Sequence, residues 1–196
     1  GSNVLAGASG QGGGYVIDNS LRFRSSASAY LNRTPASASN RKTWTWSGWV
    51  KRGLLSGSAT YEVFSGDNGV TSFTAIRITD DSLFVQDYSS GTKNIWWQTT
   101  AVFRDPSAWY HVVVKYDTTQ ASSTNSVLVY VNGVSQTLTF TALTGSYVQN
   151  YDGIVNSTNS QKIGTKNALN YFDGYLTEVN FIDGQALTPS DFGDYN

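Results

Sequence analysis

The stretch Lys42 to Arg52, KTWTWSGWVKR, decides the fold. In a strand, successive side chains alternate between faces. Trp44 and Trp46 therefore share one face with Gly48 and Val50, while Thr43, Thr45, Ser47, Trp49 and Lys51 share the other. Two large rings on one side, and a third among small polar residues on the other, need cover on both faces. That predicts an inner strand of a two-sheet sandwich rather than a sheet with one side in water. The rings themselves are read as core, because aromatic side chains bury large area.

Outward from this strand, short β-type runs recur, each bounded by Gly, Asn, Asp or Ser. The expected strands are Ser20 to Phe23, Ala29 to Arg33, Thr43 to Lys51, Tyr61 to Ser65, Phe73 to Thr79, Ser82 to Asp87, Asn94 to Thr99, Trp109 to Tyr116, Ser126 to Val131, Val134 to Phe140, Ser160 to Gly164 and Gly174 to Ile182. Asn132-Gly133 has the chemistry of a two-residue type I′ hairpin turn, and Asp80-Asp81 is expected to turn another. Helix signals are confined to Thr188-Pro189-Ser190, where Thr188 can cap a single turn. The fold class is all-β.

Length and composition bound the rest. With 196 residues, the chain suits one large β domain with a core of useful size. Residues 1–14 are read as a tag remnant, Gly1-Ser2, followed by a glycine-rich lead-in, and 15–196 as the single domain. The absence of cysteine excludes disulfides, thiolate metal sites and a cysteine nucleophile. Thirteen basic against fourteen acidic residues give no electrostatic reason to expect nucleic acid. No apolar run approaches the roughly 18 residues of a membrane span. Charged residues make up 14% and aromatics another 14%, a balance that suits a packed domain with an uncharged polar surface.

Five segments then carry a resemblance. Trp44 to Lys51 (WTWSGWVK), Trp109 to Asp117 (WYHVVVKYD), Val127 to Val134 (VLVYVNGV), Ile163 to Thr165 (IGT) and Phe172 to Thr188 (FDGYLTEVNFIDGQALT) resemble, in order and spacing, the laminin G-like, concanavalin A-like jelly-roll domains. That resemblance implies a two-sheet antiparallel β-sandwich with curved sheets, a concave side and a set of rim loops. The wording LRF, AYLNRTP, NRKTWTWSGWVKRG and FIDGQALTPSDFG is similar to modules in virion proteins of marine bacteriophages. It implies a domain of a tail or structural protein, at a virion surface and outside the cell when functioning, with other virion proteins as partners.

Several residues are candidates for chemistry. Some enzymes of this fold cut polysaccharides with paired carboxylates, which hydrolysis requires about 5 to 9.5 Å apart. Glu62 and Glu178 are the only glutamates, and no two acidic residues are spaced by two, so the chain is read as non-enzymatic. His111 enters an apolar run and has no nominable Ser or Cys partner with an orienting acid, so it is read as structural. Asp67 and Asn68, in SGDNG, resemble the Asp-Asn calcium pair of pentraxins, which makes calcium the one cofactor to consider; none is required. The following GTKNALN lacks the carboxylates that would complete the shell, and turn chemistry alone explains an Asp-Asn-Gly loop.

For sugar binding, rings stack on sugar faces while amides bond the hydroxyls. Trp97 shares its face with Ile95 and Thr99, whereas Trp96 shares its face with Asn94 and Gln98, so Trp96 is the expected exposed platform. Tyr88, Tyr147, Asn150 and Tyr151 stand in polar, loop-rich segments and complete the expected carbohydrate site, with the long irregular stretch Leu143 to Ser160 as its lining. Arg41, Lys42, Lys51 and Arg52 are expected to keep strand ends soluble. The leading expectation is a lectin-like module that binds a host-surface glycan. The alternative is a structural or decoration domain that joins virion proteins without a glycan ligand.

Overall fold

The computed structural model describes residues 18–55, 59–69, 71–140 and 146–193. The lead-in expected over 1–14 lies outside the described residues. The described residues form thirteen strands: β1 Leu21–Phe23, β2 Leu31–Arg33, β3 Thr43–Arg52, β4 Thr60–Asp67, β5 Ser72–Thr79, β6 Ser82–Ser89, β7 Thr92–Thr99, β8 Tyr110–Asp117, β9 Val127–Val131, β10 Val134–Ser135, β11 Leu138–Phe140, β12 Ser160–Ile163 and β13 Gly174–Asp183. They pair antiparallel into a six-stranded sheet, ordered β1-β13-β3-β8-β9-β10, and a seven-stranded sheet, ordered β11-β7-β6-β5-β4-β12-β2. The expected all-β, two-sheet antiparallel sandwich is what the chain forms.

The tryptophan strand β3 lies inside the six-stranded sheet, between β13 and β8. Trp44 and Trp46 are fully buried in the core between the sheets, with Val50 1% exposed beside them. Trp44 stacks on Tyr116 at 4.6 Å between ring centroids. Each such ring contributes a few kcal/mol through the area it removes from water. Gly48 is what Trp46 requires on that face, since a methyl there would sit 2.8 Å from the indole Cη2.

The opposite face of β3 is covered too, by the C-terminal segment. The Thr45 hydroxyl donates to the Gln185 carbonyl at 2.7 Å and accepts from the Leu187 N–H at 2.8 Å. Phe192 comes within 6.4 Å of the His111 ring. The expected turn forms at Pro189–Asp191, where the Asp191 carboxylate accepts from the Thr188 N–H.

Two expectations need correction. The run Val134 to Phe140, read as one strand, is two: β10 pairs with β9 in one sheet and β11 pairs with β7 in the other. Gln136 and Thr137 carry the chain across between the sheets, and their polarity gave no hint of a crossing. Arg41 and Arg52 are fasteners rather than solubilising charges. Arg52 is 3% exposed and donates to Asp81 Oδ1 at 2.6 Å and to the Phe103 carbonyl at 2.7 Å. Arg41 Nε holds the Gly153 carbonyl at 2.7 Å. The two hairpin turns are as expected, with positive φ at Asp80, Asp81, Asn132 and Gly133.

Candidate functional site

The seven-stranded sheet has an inner face in the core and an outer face with a different character. Along β5, Thr74, Ile76 and Ile78 point inward, so Phe73, Ala75, Arg77 and Thr79 point out. Register then places Phe84, Gln86 and Tyr88 of β6 on the same outer face, with Lys93, Trp96 and Gln98 of β7 beside them. On β4 an extra residue at Val63 breaks the alternation. Val63 and Phe64 both enter the core, which leaves Glu62, Ser65 and Asp67 facing out.

The hairpin-like lobe of residues 164–171 rises beside β4. Ser65 Oγ donates to the Thr165 carbonyl at 2.8 Å, and the Asn167 N–H donates to Asp67 Oδ2 at 3.1 Å. The lobe carries Lys166 over the Phe73 ring, 3.7 Å from its centroid. Phe73 in turn stacks on Tyr88, with centroids 5.6 Å apart. Arg77 lies 5.5 Å from the Phe84 centroid and 5.6 Å from that of Trp96, while Lys93 sits 4.6 Å from the Trp96 centroid. Trp96 and Arg77 stand two strands apart, about 10 Å at the usual spacing, so both side chains lean over β6 to meet.

Beneath them lie polar groups that burial leaves poorly satisfied. Gln86 is fully buried with neither amide atom hydrogen-bonded, and Arg77 Nε and both oxygens of fully buried Glu62 are in the same state. Burial pushes the Glu62 carboxyl up to about 7, against the opposing pull of Arg77, Lys166 and the Asn170 amide. Arg77 is 4.0 Å away, too far to offset the burial. Burial also lowers Arg77 and Lys166 from their usual ranges, and Glu62 acts against this for both.

The expected site residues divide between this face and elsewhere. Trp96 and Tyr88 are both on the outer face, half-buried, on neighbouring strands. Trp97 is in the core, as its parity required. Tyr147, Asn150 and Tyr151 belong instead to a segment that closes one end of the sandwich. The Tyr147 hydroxyl reaches the Thr118 and Gln120 carbonyls at 3.0 and 2.9 Å, and its ring packs against the core. Asn150 is exposed in a positive-φ turn, its N–H donating to the Thr118 carbonyl at 2.7 Å.

The Tyr151 hydroxyl turns toward Asp87, whose charge together with burial raises the phenol above its usual range. Asp87 is buried, accepts a hydrogen bond from Thr74 Oγ1, and has its carboxyl pushed up to about 6 by burial. Gly153 comes within 3.0 to 3.3 Å of Tyr116, Asp87 and Thr74 measured from where a Cβ would stand, so a side chain there would unseat the segment. The described part of the stretch expected to line a binding loop thus closes one end of the sandwich, with Tyr147, Gln149 and Tyr151 turned to Thr118, Gln120, Thr119 and Asp87.

Both oxygens of Asp67 accept from the Lys162 ammonium, at 2.6 and 2.7 Å. The counter-charge expected from calcium is thus provided by the chain, and the Asn68 N–H is used in a turn to the Ser72 carbonyl. Among the described residues no three His, Cys, Asp or Glu side chains gather as metal ligands. His111 is 4% exposed, 2.9 Å from Ser47 Oγ, and burial lowers it to about 4, in keeping with a structural histidine.

A cavity of about 420 Å³ lies elsewhere, at the open edge of the sandwich, lined by Leu21, Phe23, Leu31, Ile163, Leu176 and Val179 among others. It is apolar and lacks the convergent polar groups of a site that orients a ligand. The outer face of the seven-stranded sheet has them. Sequence reading missed Glu62, Arg77, Gln86, Lys93 and Lys166. The alternation of β5 and β6 could have found Arg77 and Gln86; the bulge in β4 hid Glu62, and the lobe hid Lys166.

The model of the concanavalin A-like lectin/glucanases superfamily matches residues 24–191. No curated protein matches the sequence. Among solved structures, domain 4 of AbnA, a GH43 extracellular arabinanase from Geobacillus stearothermophilus, in complex with arabinotriose, is similar with a TM-score of 0.54 and 22% identity, over 78% of this chain and 65% of that one. The Ruminococcus gnavus IT-sialidase CBM40 bound to α2,3 sialyllactose gives 0.52 at 15% identity, over 82% of this chain and 95% of that one. Mouse laminin α1 chain domains LG4-5 give 0.52 at 9% identity, over 83% and 40%. At such identities the likeness is one of fold. Together with the residues matched, it closes the question of family: the chain belongs to the concanavalin A-like lectin/glucanases superfamily.

Proposed function

We propose that the domain is a non-catalytic carbohydrate-binding module and that its ligand lies on the outer face of the seven-stranded sheet. The observation that carries this reading is the placement of Trp96 and Tyr88 on the same face of neighbouring strands, close enough for one ligand to touch both. Gln98, on the same face as Trp96, supplies an amide for hydroxyl groups, whereas the Asn94 amide is turned to the Asp87 carboxylate at 3.4 Å by the bulge between β6 and β7. The solved structures with arabinotriose and sialyllactose support the reading, since those relatives hold glycans on this fold.

Hydrolysis is a poor fit to the same face. Its two carboxylates, Glu62 and Asp67, are five residues apart on β4, about 15 Å at the rise of a strand, beyond the range that either hydrolytic geometry uses. Asp67 is moreover committed to Lys162. We read the binding as calcium-independent for the same reason.

The virion setting rests on the likeness of the segments LRF, AYLNRTP and FIDGQALTPSDFG to phage modules. In that setting the module is displayed outside the cell and contacts host-surface glycan, with other virion proteins as neighbours. Many copies would make weak single sites adequate through effective concentration.

A glycan-array and host-polysaccharide screen, with and without calcium, tests the reading. Trp96→Ala and Tyr88→Ala are expected to lose binding by tenfold or more with the fold intact, and Tyr147→Ala to lose stability instead. A wild-type domain that binds no glycan would overturn it and favour the alternative, a structural domain joining virion proteins.

A further inference from the structure

The chain as a whole carries a net charge of −1, yet its candidate ligand face has the opposite sign. Four cations stand there, Arg77, Lys93, Lys162 and Lys166, against two carboxylates, Glu62 and Asp67. Lys162 and Asp67 neutralise one another. Among the described residues, neither Lys93 nor Lys166 has a carboxylate within ion-pair distance, and the nearest acid to Arg77 is the 4.0 Å contact to Glu62. The positive sign is therefore local and is left standing by the protein.

Rings hold these cations in place without cancelling them. Lys166 rests on Phe73, Lys93 on Trp96, and Arg77 between Phe84 and Trp96. A cation on a ring gains a modest attraction and keeps its full charge for a further partner. The buried Nε of Arg77 and the amide of Gln86 lie beneath these groups without a hydrogen bond and add their dipoles to the local field.

We propose that this face binds an acidic polysaccharide, one that carries carboxylate or sulfate groups, with Lys93, Lys166 and Arg77 as its anion-holding groups. The proposal rests on the glycan-binding reading above and names the class of glycan. The cations stand among the rings of Phe73, Tyr88 and Trp96, an arrangement that suits a polymer with charge on its sugar rings. Lys166 sits over β5 and Lys93 over β7, about 10 Å apart at the usual strand spacing, so the ligand is an oligosaccharide stretch rather than one sugar.

Glu62 sets the pH response. It faces Arg77, Lys166, the Asn170 amide and, more distantly, Asp67. Its charge opposes an incoming anion, and with its carboxyl near 7 that charge is lost between about pH 8 and 6. Affinity for an acidic polymer is expected to rise over that interval in the wild type, and to be flat in Glu62→Gln.

Isothermal titration with four polymers gives the test: polygalacturonate and its methyl ester, dextran sulfate and neutral dextran. The acidic member of at least one pair is expected to bind tenfold or more tightly than its neutral counterpart, with the pair that responds identifying carboxylate or sulfate. Lys93→Gln and Lys166→Gln are each expected to weaken that binding about fivefold, the usual effect of one partly screened charge. Lys115→Gln, on the other sheet, is expected to change nothing. Equal binding of acidic and neutral polymers, with Trp96→Ala still abolishing it, would overturn this inference and leave the glycan-binding reading standing. An equal loss in Lys115→Gln would mean unplaced charge attraction and would overturn it as well. No binding to any of the four, nor to any glycan in the wider screen, would overturn both.

Discussion

On the outer face of the six-stranded sheet, Thr45 is bonded to Gln185 and Leu187, and Ser47 to His111, all beneath the C-terminal segment. On the outer face of the seven-stranded sheet, Glu62, Arg77 and Gln86 keep five buried polar atoms that lack a hydrogen bond of good geometry among the described residues, the Glu62 carboxylate having only the 4.0 Å contact to Arg77 and the Asn170 amide beside it. The two faces are made by the same alternation, and each has small polar residues between larger ones. One has been closed by the chain's own C-terminal residues; the other is walled by a lobe on one side and holds its cations on aromatic rings. An unsatisfied buried polar atom costs about 1 to 3 kcal/mol. The closed face avoids that cost, and the open face bears it, as binding surfaces commonly do at the expense of stability.

Changes that remove polarity should therefore have opposite signs on the two faces. The largest expected effect is at Glu62. A carboxyl raised from 4.5 to about 7 stabilises the fold in its protonated state, and that contribution is lost as pH rises through this interval. Glu62→Gln is expected to raise stability by about 3 kcal/mol at pH 8 and by almost nothing at pH 4, measured by urea unfolding. A loss of stability at pH 8 would show that Glu62 is held by Arg77 after all, and the contrast between the faces would collapse.

The closed face should respond on the acid side. His111 is lowered from 6.5 to about 4, so its neutral form is the one the fold favours, and stability falls as pH drops through that range. His111→Gln keeps a partner for Ser47 and removes the titration. It is expected to flatten a loss of up to about 3 kcal/mol between pH 6.5 and 4. An unchanged acid limb would place the acid sensitivity elsewhere and blunt the comparison.

The smallest effect is at Gln86, where no titration intervenes. Gln86→Leu keeps the volume and removes two unsatisfied atoms, so a gain of about 1 kcal/mol is expected in thermal unfolding, with glycan affinity unchanged. A loss of stability would assign Gln86 to the packing of the sheet.

The tryptophan strand explains why the fold was legible. Its alternation, the turn residues Asp80-Asp81 and Asn132-Gly133, and the opposed neighbours Trp96 and Trp97 are all local signals, and all hold in the structure. The candidate face was legible in part, through Trp96 and Tyr88. It was obscured where structure depends on distant pairing. One inserted residue at Val63 reset the parity of β4, and Lys166 arrives through a lobe anchored to Ser65 and Asp67. Tyr147 and Tyr151 misled because a tyrosine in an irregular segment reads as exposed, whereas their hydroxyls face the end of the sandwich at Thr118, Gln120 and Asp87. No local pattern distinguishes a plug from a loop.

Among the described residues, the candidate face has a wall on one long side only. Residues 164–171 rise beside β4, while on the other flank the sheet runs out through β7 to the three-residue edge strand β11, where Thr139 and Phe140 are exposed. Such a surface is a ledge rather than a socket. A ledge recognises an interior stretch of a polymer, whereas a socket waits for its terminus, so long chains would offer it many equivalent landing places and the number of bound modules would follow chain length, not the count of chain ends.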